Sequence, residues 1–305
     1  MHRLDRVVRL LCALVVVLLG CRPPIEAAPP EPRVAAKPGA GVEVCWVESR
    51  ARAGFTASAL VVRHPAGDLL IDAGNSTHFD EEIEVYEGAH RRWLATHPGL
   101  LKPRRSIAEE LAAVGVDPAG LRWLLATHAH LDHLGGAVDL PGVPVLLDPA
   151  EAEAVRVGAA SVTREVVPAH AKAVLPRLTA IEYAAAPYEI FDRHADLFGD
   201  GSVVVVPLSG HTPGSVGVFV RRSDGRRILH LGDAVNAREQ VEERRGRTRM
   251  MRATDTDRGA ADRWVARLHA FAGQVDDVIL LPAHERAAWR DAFGAPARAC
   301  PPPRG

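Results

Sequence analysis

Three imidazoles and a carboxylate fall within six residues, at His128, His130, Asp132 and His133, in the stretch Thr127-His128-Ala129-His130-Leu131-Asp132-His133-Leu134-Gly135-Gly136. Imidazole nitrogen and carboxylate oxygen are the ligands that a borderline-soft divalent ion such as zinc takes. An isolated His-x-His in a loop is usually a solvated accident, but here four candidate ligands crowd the end of one apolar run, Leu121-Arg122-Trp123-Leu124-Leu125. Gly135 and Gly136 are expected to let the backbone turn sharply where the packed histidines leave it no freedom. One loop rarely completes a metal site, so partners for this cluster must come from elsewhere in the chain.

The elements able to deliver them are legible from periodicity. Alternating or apolar runs predict strands over residues 42–48, 58–64, 69–72, 121–125, 144–147, 202–208, 216–220, 227–231 and 278–281, with Asp224-Gly225 as a hairpin turn. Ser106-Ile107-Ala108-Glu109 is a capping-box pattern that opens a helix ending near Gly115. Further helices are expected over about residues 149–157 and 257–271, whereas residues 158–200 give no clear pattern. Four apolar strands end in a potential ligand: the His128 cluster, His211, Asp233 and His284. Strand ends are rigid supports. Asp72 also closes a strand, and reads as well as a turn former as it does as a group that orients a ligand.

The 305-residue chain carries a formal net charge of −1, which argues against a broad basic face for nucleic acid. Arg3, Arg6 and Arg9 precede an apolar run over residues 10–19. Ten residues reach about 15 Å as a helix, half a ~30 Å hydrocarbon core, so the run is read as a signal peptide over residues 1–20. Leu18-Leu19-Gly20-Cys21 resembles a bacterial lipobox, which implies lipidation at Cys21 and a protein anchored to the envelope. A plain secretory signal cleaved elsewhere is the alternative, and either implies export. Residues 21–40, rich in Pro and Ala, are expected to form a tether, with a single domain over 41–305. Cys45 and Cys300 remain, either as a disulfide or as two free thiols.

From residue 42 to about 285 the chain resembles the metallo-β-lactamase-fold hydrolases, through Asp72, the 127–136 cluster, Gly210-His211-Thr212-Pro213-Gly214, Leu231-Gly232-Asp233 and Ala283-His284. The resemblance implies an α/β fold, a four-layer αββα sandwich with metals at one edge. It implies that His128, His130 and His211 hold one divalent ion, that Asp132, His133 and His284 hold a second, and that Asp233 bridges both, with zinc expected in each position. Asp72 would orient a ligand histidine, while histidines such as His64, His90, His230 and His269 match no ligand position. Two zinc ions less the charges of Asp132, Asp233 and a shared hydroxide leave about +1, enough to bring a bound water to a pKa of roughly 7. The implied reaction is hydrolysis of an ester-like or amide-like bond, with Asp132 able to pass the proton.

Within that family, the bridging aspartate favours lactonases, glyoxalase-type thioesterases and phosphoesterases over β-lactamases. Residues 62–68 and 210–215 look most like the N-acyl homoserine lactonase branch. Those lactonases place a tyrosine three residues after the bridging aspartate; here Asn236 stands there, able to donate a hydrogen bond but without a titratable hydroxyl. A lactone is the favoured small-molecule substrate. A thioester or β-lactam, an iron-dependent thiol dioxygenation, and a non-catalytic metal-binding lipoprotein are the alternatives. Residues 238–252 could recognise a carboxylate or phosphate through arginine, but their interspersed glutamates favour a solvated, self-paired helix. Met250-Met251 fits an acyl pocket and core packing equally well.

Overall fold

A computed structural model describes residues 22–303 except 30–31, 37–38, 53, 159–165 and 250. Cys21 and the apolar run before it lie outside the described residues, as does Met250.

Among the described residues the strands form two sheets. The first contains, in spatial and chain order, β1 (Glu43–Arg52), β2 (Phe55–Arg63), β3 (Leu69–Ile71), β4 (Trp123–Leu125), β5 (Val145–Leu147) and β6 (Leu178–Ala180). It is antiparallel through β3 and parallel from β3 to β6. The second runs β11 (Val278–Leu281), β10 (Arg227–His230), β9 (Val216–Arg221), β8 (Val203–Pro207), β7 (Ala195–Asp196). In it β10 and β11 are parallel and the other pairs antiparallel, so β8, β10 and β11 all run the same way.

Why these strands are apolar on both sides follows from what covers them. Val203 and Val205 face the other sheet, packing with Val218, Val220, Leu60, Val62, Leu69 and Leu125. Val204 and Val206 face the opposite way, onto Val265, Leu268 and Phe271 of helix α5 (Arg258–Ala272). The outer face of the first sheet, Val61, Leu70, Leu124 and Val145, is covered by α2 (Ile107–Ala113), α3 (Pro149–Gly158) and α4 (Pro168–Val174). Side chains alternate across a strand, so a strand in an inner layer must be apolar at every position. The result is the four-layer sandwich. A short helix α1 (Gly88–Thr96) follows β3, and α6 (Arg286–Phe293) sets Trp289 against Trp46 at the sandwich edge.

The expected helix starts are present. Ser106 accepts from the Glu109 amide at 3.2 Å while Glu109 Oε2 accepts from the Ser106 amide at 2.8 Å, and Asp257 caps α5 through the Ala260 amide at 2.9 Å. Cys45 and Cys300 pair as a disulfide with a Cα–Cα distance of 5.5 Å, resolving the two options left by the sequence.

Where it is described, the proline-rich segment makes short pairings with the domain: Ile25 donates to the Arg244 carbonyl at 2.9 Å and Gly246 to the Pro23 carbonyl at 2.8 Å. Val34 exchanges two backbone bonds with Glu189, whose buried carboxylate also takes Arg33. Proline-rich composition removes amide donors but leaves carbonyls and the few remaining amides, and these suffice for short pairings.

Candidate metal centre

The chain reverses after β3 through Asp72, whose φ of 58° lies in the left-handed region. That conformation is sparsely populated except by Gly, Asn and Asp. Here it accompanies a carboxylate that accepts from the Thr127 amide at 2.7 Å and the Thr127 hydroxyl at 3.1 Å, and that lies 2.8 Å from His133 Nδ1. All three residues are buried. The loop after β4 carries His128 and His130 and then enters a single helical turn, Leu131–Leu134, bearing Asp132 and His133.

Gly135 and Gly136 follow, but not for backbone freedom. Neither has a positive φ; a Cβ on Gly136 would lie 2.3 Å from the Ala73 carbonyl oxygen, so the motif needs glycine for close approach of the β3 and β4 loops.

The other ligand candidates arrive from the second sheet, at the C-terminal ends of β8, β10 and β11. Three groups of candidate ligand atoms result, each with its atoms within 4.8 Å of one another: His128, His130 and His211; His128, His133 and Asp233; Asp132, His133 and His284. In the first, His130 Nδ1 and His211 Nε2 are 3.0 Å apart. In the last, His284 Nε2 is 3.3 Å from Asp132 Oδ2. Asp233 lies between the two halves. Its Oδ2 is 3.6 Å from His211 Nε2, while its Oδ1 is 3.2 Å from His284 Nε2 and 3.5 Å from His133 Nε2.

These residues fit a pair of divalent ions. His128 Nε2, His133 Nε2 and Asp233 Oδ1 are buried without a hydrogen-bond partner, and buried polar atoms are otherwise almost always paired. Four nitrogen and oxygen donors about 2.0–2.1 Å from a tetrahedral zinc stand roughly 3.3 Å apart, close to the separations found here.

Protonation in the metal-free site points the same way. His128 and His130 are pushed down by burial and neighbouring imidazoles, His130 to about 3. His133 and His284 are buried too, yet nearby carboxylates outweigh that: Asp72, Asp132 and Asp233 hold His133 well above its usual value, and Asp233 and Asp132 raise His284 to about 10. Burial likewise opposes the charged forms of Asp132 and Asp233, but His133 and His284 keep both carboxyls low. The carboxylates of this place therefore favour cationic charge.

Three of the candidate ligand imidazoles are held from behind. Asp72 sits at His133 Nδ1, the Thr56 carbonyl at 2.9 Å from His284 Nδ1, and Asp255 Oδ1 at 3.1 Å from His211 Nδ1. Such partners fix a ring's tautomer and orientation. Glu151 joins the two ligand loops, accepting from the Ala129 amide at 2.8 Å and the Gly214 amide at 3.0 Å. Asp255, Thr56 and Glu151 carry no local sequence signal of this role; Asp255 reads as part of a polar lead-in to α5.

The arginine-rich stretch is only partly the solvated helix expected. A short helix spans Arg238–Glu242, Arg238 pairs with Glu285 and Asp291, and Arg245 pairs with Glu243. Arg247, however, is 2% exposed and turns into the metal centre. Asn236 has its amide oxygen 2.8 Å from Arg247 Nε, as the acceptor of that bond. His64 pairs with Asp200, His230 Nδ1 accepts from the Gly232 amide and His269 lies at the Val241 carbonyl, all outside the candidate ligand groups.

Residues 52–293, from the end of β1 to the end of α6, match the model of the Metallo-beta-lactamase superfamily. N-acyl homoserine lactonase AttM of Agrobacterium fabrum is 24% identical over 248 residues, covering 77% of this chain and 84% of that protein. N-acyl homoserine lactonase AiiA of Bacillus thuringiensis subsp. kurstaki is 25% identical over 181 residues, covering 58% of this chain and 63% of that protein. The crystal structure of a quorum-quenching N-acyl homoserine lactone lactonase shares the fold, with a TM-score of 0.60 at 17% identity over 82% of this chain and 95% of that one. With two sheets back to back, histidines and aspartates gathered at one edge, and the family model spanning nearly the whole folded body, this chain belongs to the Metallo-beta-lactamase superfamily of metal-dependent hydrolases.

Proposed function

We propose that the protein is a dizinc hydrolase that opens lactone rings, with N-acyl homoserine lactones as the favoured class. The observation that carries this reading is Asp233, which turns one carboxylate oxygen to each half of the candidate centre. Support for the substrate comes from relatives such as AttM and AiiA, both N-acyl homoserine lactonases.

His128, His130 and His211 would hold one ion, Asp132, His133 and His284 the other, and Asp233 both. When bound, two zinc ions supply Lewis acidity toward the ester carbonyl and activate a shared water as the nucleophile at neutral pH. The chain itself supplies orientation and proton transfer. Asp132 is the more exposed of the two carboxylates, its side chain 18% accessible against 8% for Asp233. It is the group placed to take the proton released by the attacking water and pass it to the departing alkoxide oxygen. Phe55 stacks on His284 with ring centroids 4.6 Å apart and packs against a cluster of Phe79, Ile83, Tyr86, Leu94, Leu131 and Val167. This apolar wall beside the ligands suits an acyl substituent. The reading keeps the chain exported and anchored through Cys21.

The test is a panel of lactone, thioester, phosphoester and nitrocefin substrates on the purified protein, with metal content measured in parallel. Lactone turnover at two zinc ions per chain is expected, and Asp233→Ala should lower occupancy and turnover together. Unchanged activity and loading in that variant would sink the assignment. A fully loaded protein inert toward the whole panel favours a metal-binding lipoprotein instead.

A further inference from the structure

Arg247 makes contacts that its neighbours in the arginine-rich stretch do not. It is buried, and its fork spans four groups. Nη1 donates to the Asp233 carbonyl at 2.9 Å and to Asp255 Oδ1 at 2.6 Å; Nε donates to Asn236 Oδ1 at 2.8 Å. Nη2 is buried without a hydrogen-bond partner, 3.7 Å from Asp233 Oδ2. Nη1 also lies 2.8 Å from His211 Nδ1. With His211 Nε2 turned to the metal position, Nδ1 carries the proton, and Asp255 Oδ1 is the acceptor that both donors share. The loop bearing Arg247 is held from outside by the amide of Gly246 on the Pro23 carbonyl.

A lone buried carboxylate is costly, and so is a lone buried guanidinium. Asp255 is needed behind His211, and Arg247 balances its charge. The same cation faces Asp233, at both its backbone and its carboxylate. We propose that Arg247 is a positioning residue of the metal centre. It fixes Asp233 against the Asp255–His211 pair and so sets how tightly the half-site of His128, His130 and His211 holds its ion. The proposal rests on the dizinc reading above and goes beyond it, since the assigned ligands alone do not require an arginine.

Zinc competition titration of the full chain, with cobalt substitution as a spectroscopic probe, tests it. In Arg247→Ala the affinity for one of the two ions should fall about tenfold or more, the usual effect of removing such a partner, while the other changes little. The absorption bands of cobalt in the weakened half should change in position or intensity. Arg247→Lys keeps a buried cation but not the planar fork, so it should remain weakened; it also carries the test alone where the alanine variant does not fold. Two ions bound by wild type, with affinities and cobalt spectrum unchanged in both variants, overturns the proposal alone. Full recovery in Arg247→Lys overturns it as well. Wild-type uptake of fewer than two ions overturns the dizinc reading, and the proposal with it.

Discussion

Asp72→Asn probes the group that stands behind His133. The native carboxylate takes three contacts in a fully buried setting: the Thr127 amide at 2.7 Å, the Thr127 hydroxyl at 3.1 Å and His133 Nδ1 at 2.8 Å. Asparagine is the informative substitution because it tolerates the positive φ of 58°, where alanine would add backbone strain. Its single oxygen can keep the bond from the Thr127 amide. The amide nitrogen then stands where Oδ2 was, facing His133 Nδ1. The hydroxyl of Thr127 can rotate to accept, but the imidazole must accept as well, which moves its proton to Nε2. That nitrogen is the one aimed at Asp132 and Asp233, 3.8 and 3.5 Å away. A donor would now point where an ion needs a lone pair.

Forcing the native tautomer back against the amide forfeits a charge-assisted bond, about 1.5–3 kcal/mol. At about 1.4 kcal/mol per decade that is roughly a 10- to 150-fold loss of affinity in the Asp132, His133, His284 half. The metal-free protein, in which Asp72 helps to hold His133 as a cation, should lose stability as well, by about 1.5–3 kcal/mol for the same charge-assisted bond. Competition titration against a chromophoric zinc chelator gives the first quantity, and denaturant unfolding in the presence of chelator the second. Wild-type affinity at both ions would refute the reasoning. So would an equal loss of affinity at both ions, because Asp72 would then act on the fold around the centre and not on His133.

Three further outcomes are expected. His133 and His284 have folded-state pKa values raised above the ordinary 6.5, His284 to about 10, so their contribution to the metal-free fold is complete below pH 6.5 and disappears as pH climbs toward 10. Chelator-treated protein should therefore melt lower at pH 9.5 than at pH 6, and zinc should remove that slope; a chelated protein equally stable at both would contradict it. Expressed with its own N-terminus, the chain should fractionate with membranes and carry an oxidised Cys45–Cys300 pair, and Cys21→Ser should release it. The disulfide spans a sequence separation of 255, so Cys300→Ser should cost about 3–5 kcal/mol, or roughly 10 °C in Tm, and an unchanged melting temperature would show the link to be incidental.

Much of the candidate centre could be read in the chain because its candidate ligands are punctuated. His128, His130, Asp132 and His133 are close in sequence, and His211, Asp233 and His284 each close an apolar run, so a local pattern reveals them. The groups that hold the ligands obey no such spacing. Asp255 meets His211 across 44 residues, Glu151 meets Gly214 across 63, and the group behind His284 is a main-chain carbonyl, which any residue offers. Arg247 was hidden by its surroundings: among so many solvated arginines and glutamates, composition cannot say which one turns inward. Nor could the pairings of Pro23, Ile25 and Val34 be read, since proline content describes how stiff a segment is but not what it lies against.

Several departures from ordinary folding chemistry meet at one sheet edge. Asp72 has a positive φ, His128 Nε2, His133 Nε2 and Asp233 Oδ1 lack partners, and Asp72, Asp132, Asp233 and Asp255 crowd together with Arg247. Away from that edge the strands follow the rules, with both faces buried against apolar layers. If the edge served stability alone, apolar residues would serve better, because buried ionic clusters seldom outperform well-packed hydrocarbon. A sequence that keeps like charges and orphaned donors together in a dry place does so for something that binds there, and the sandwich supplies the stability that lets it. That is also why the ligand set alone does not name the substrate. Coordination fixes the reaction class, while discrimination falls to side chains around it, such as Phe55 stacked on His284 and Asn236 held by Arg247, where this chain parts from the tyrosine its lactonase-like motifs would suggest.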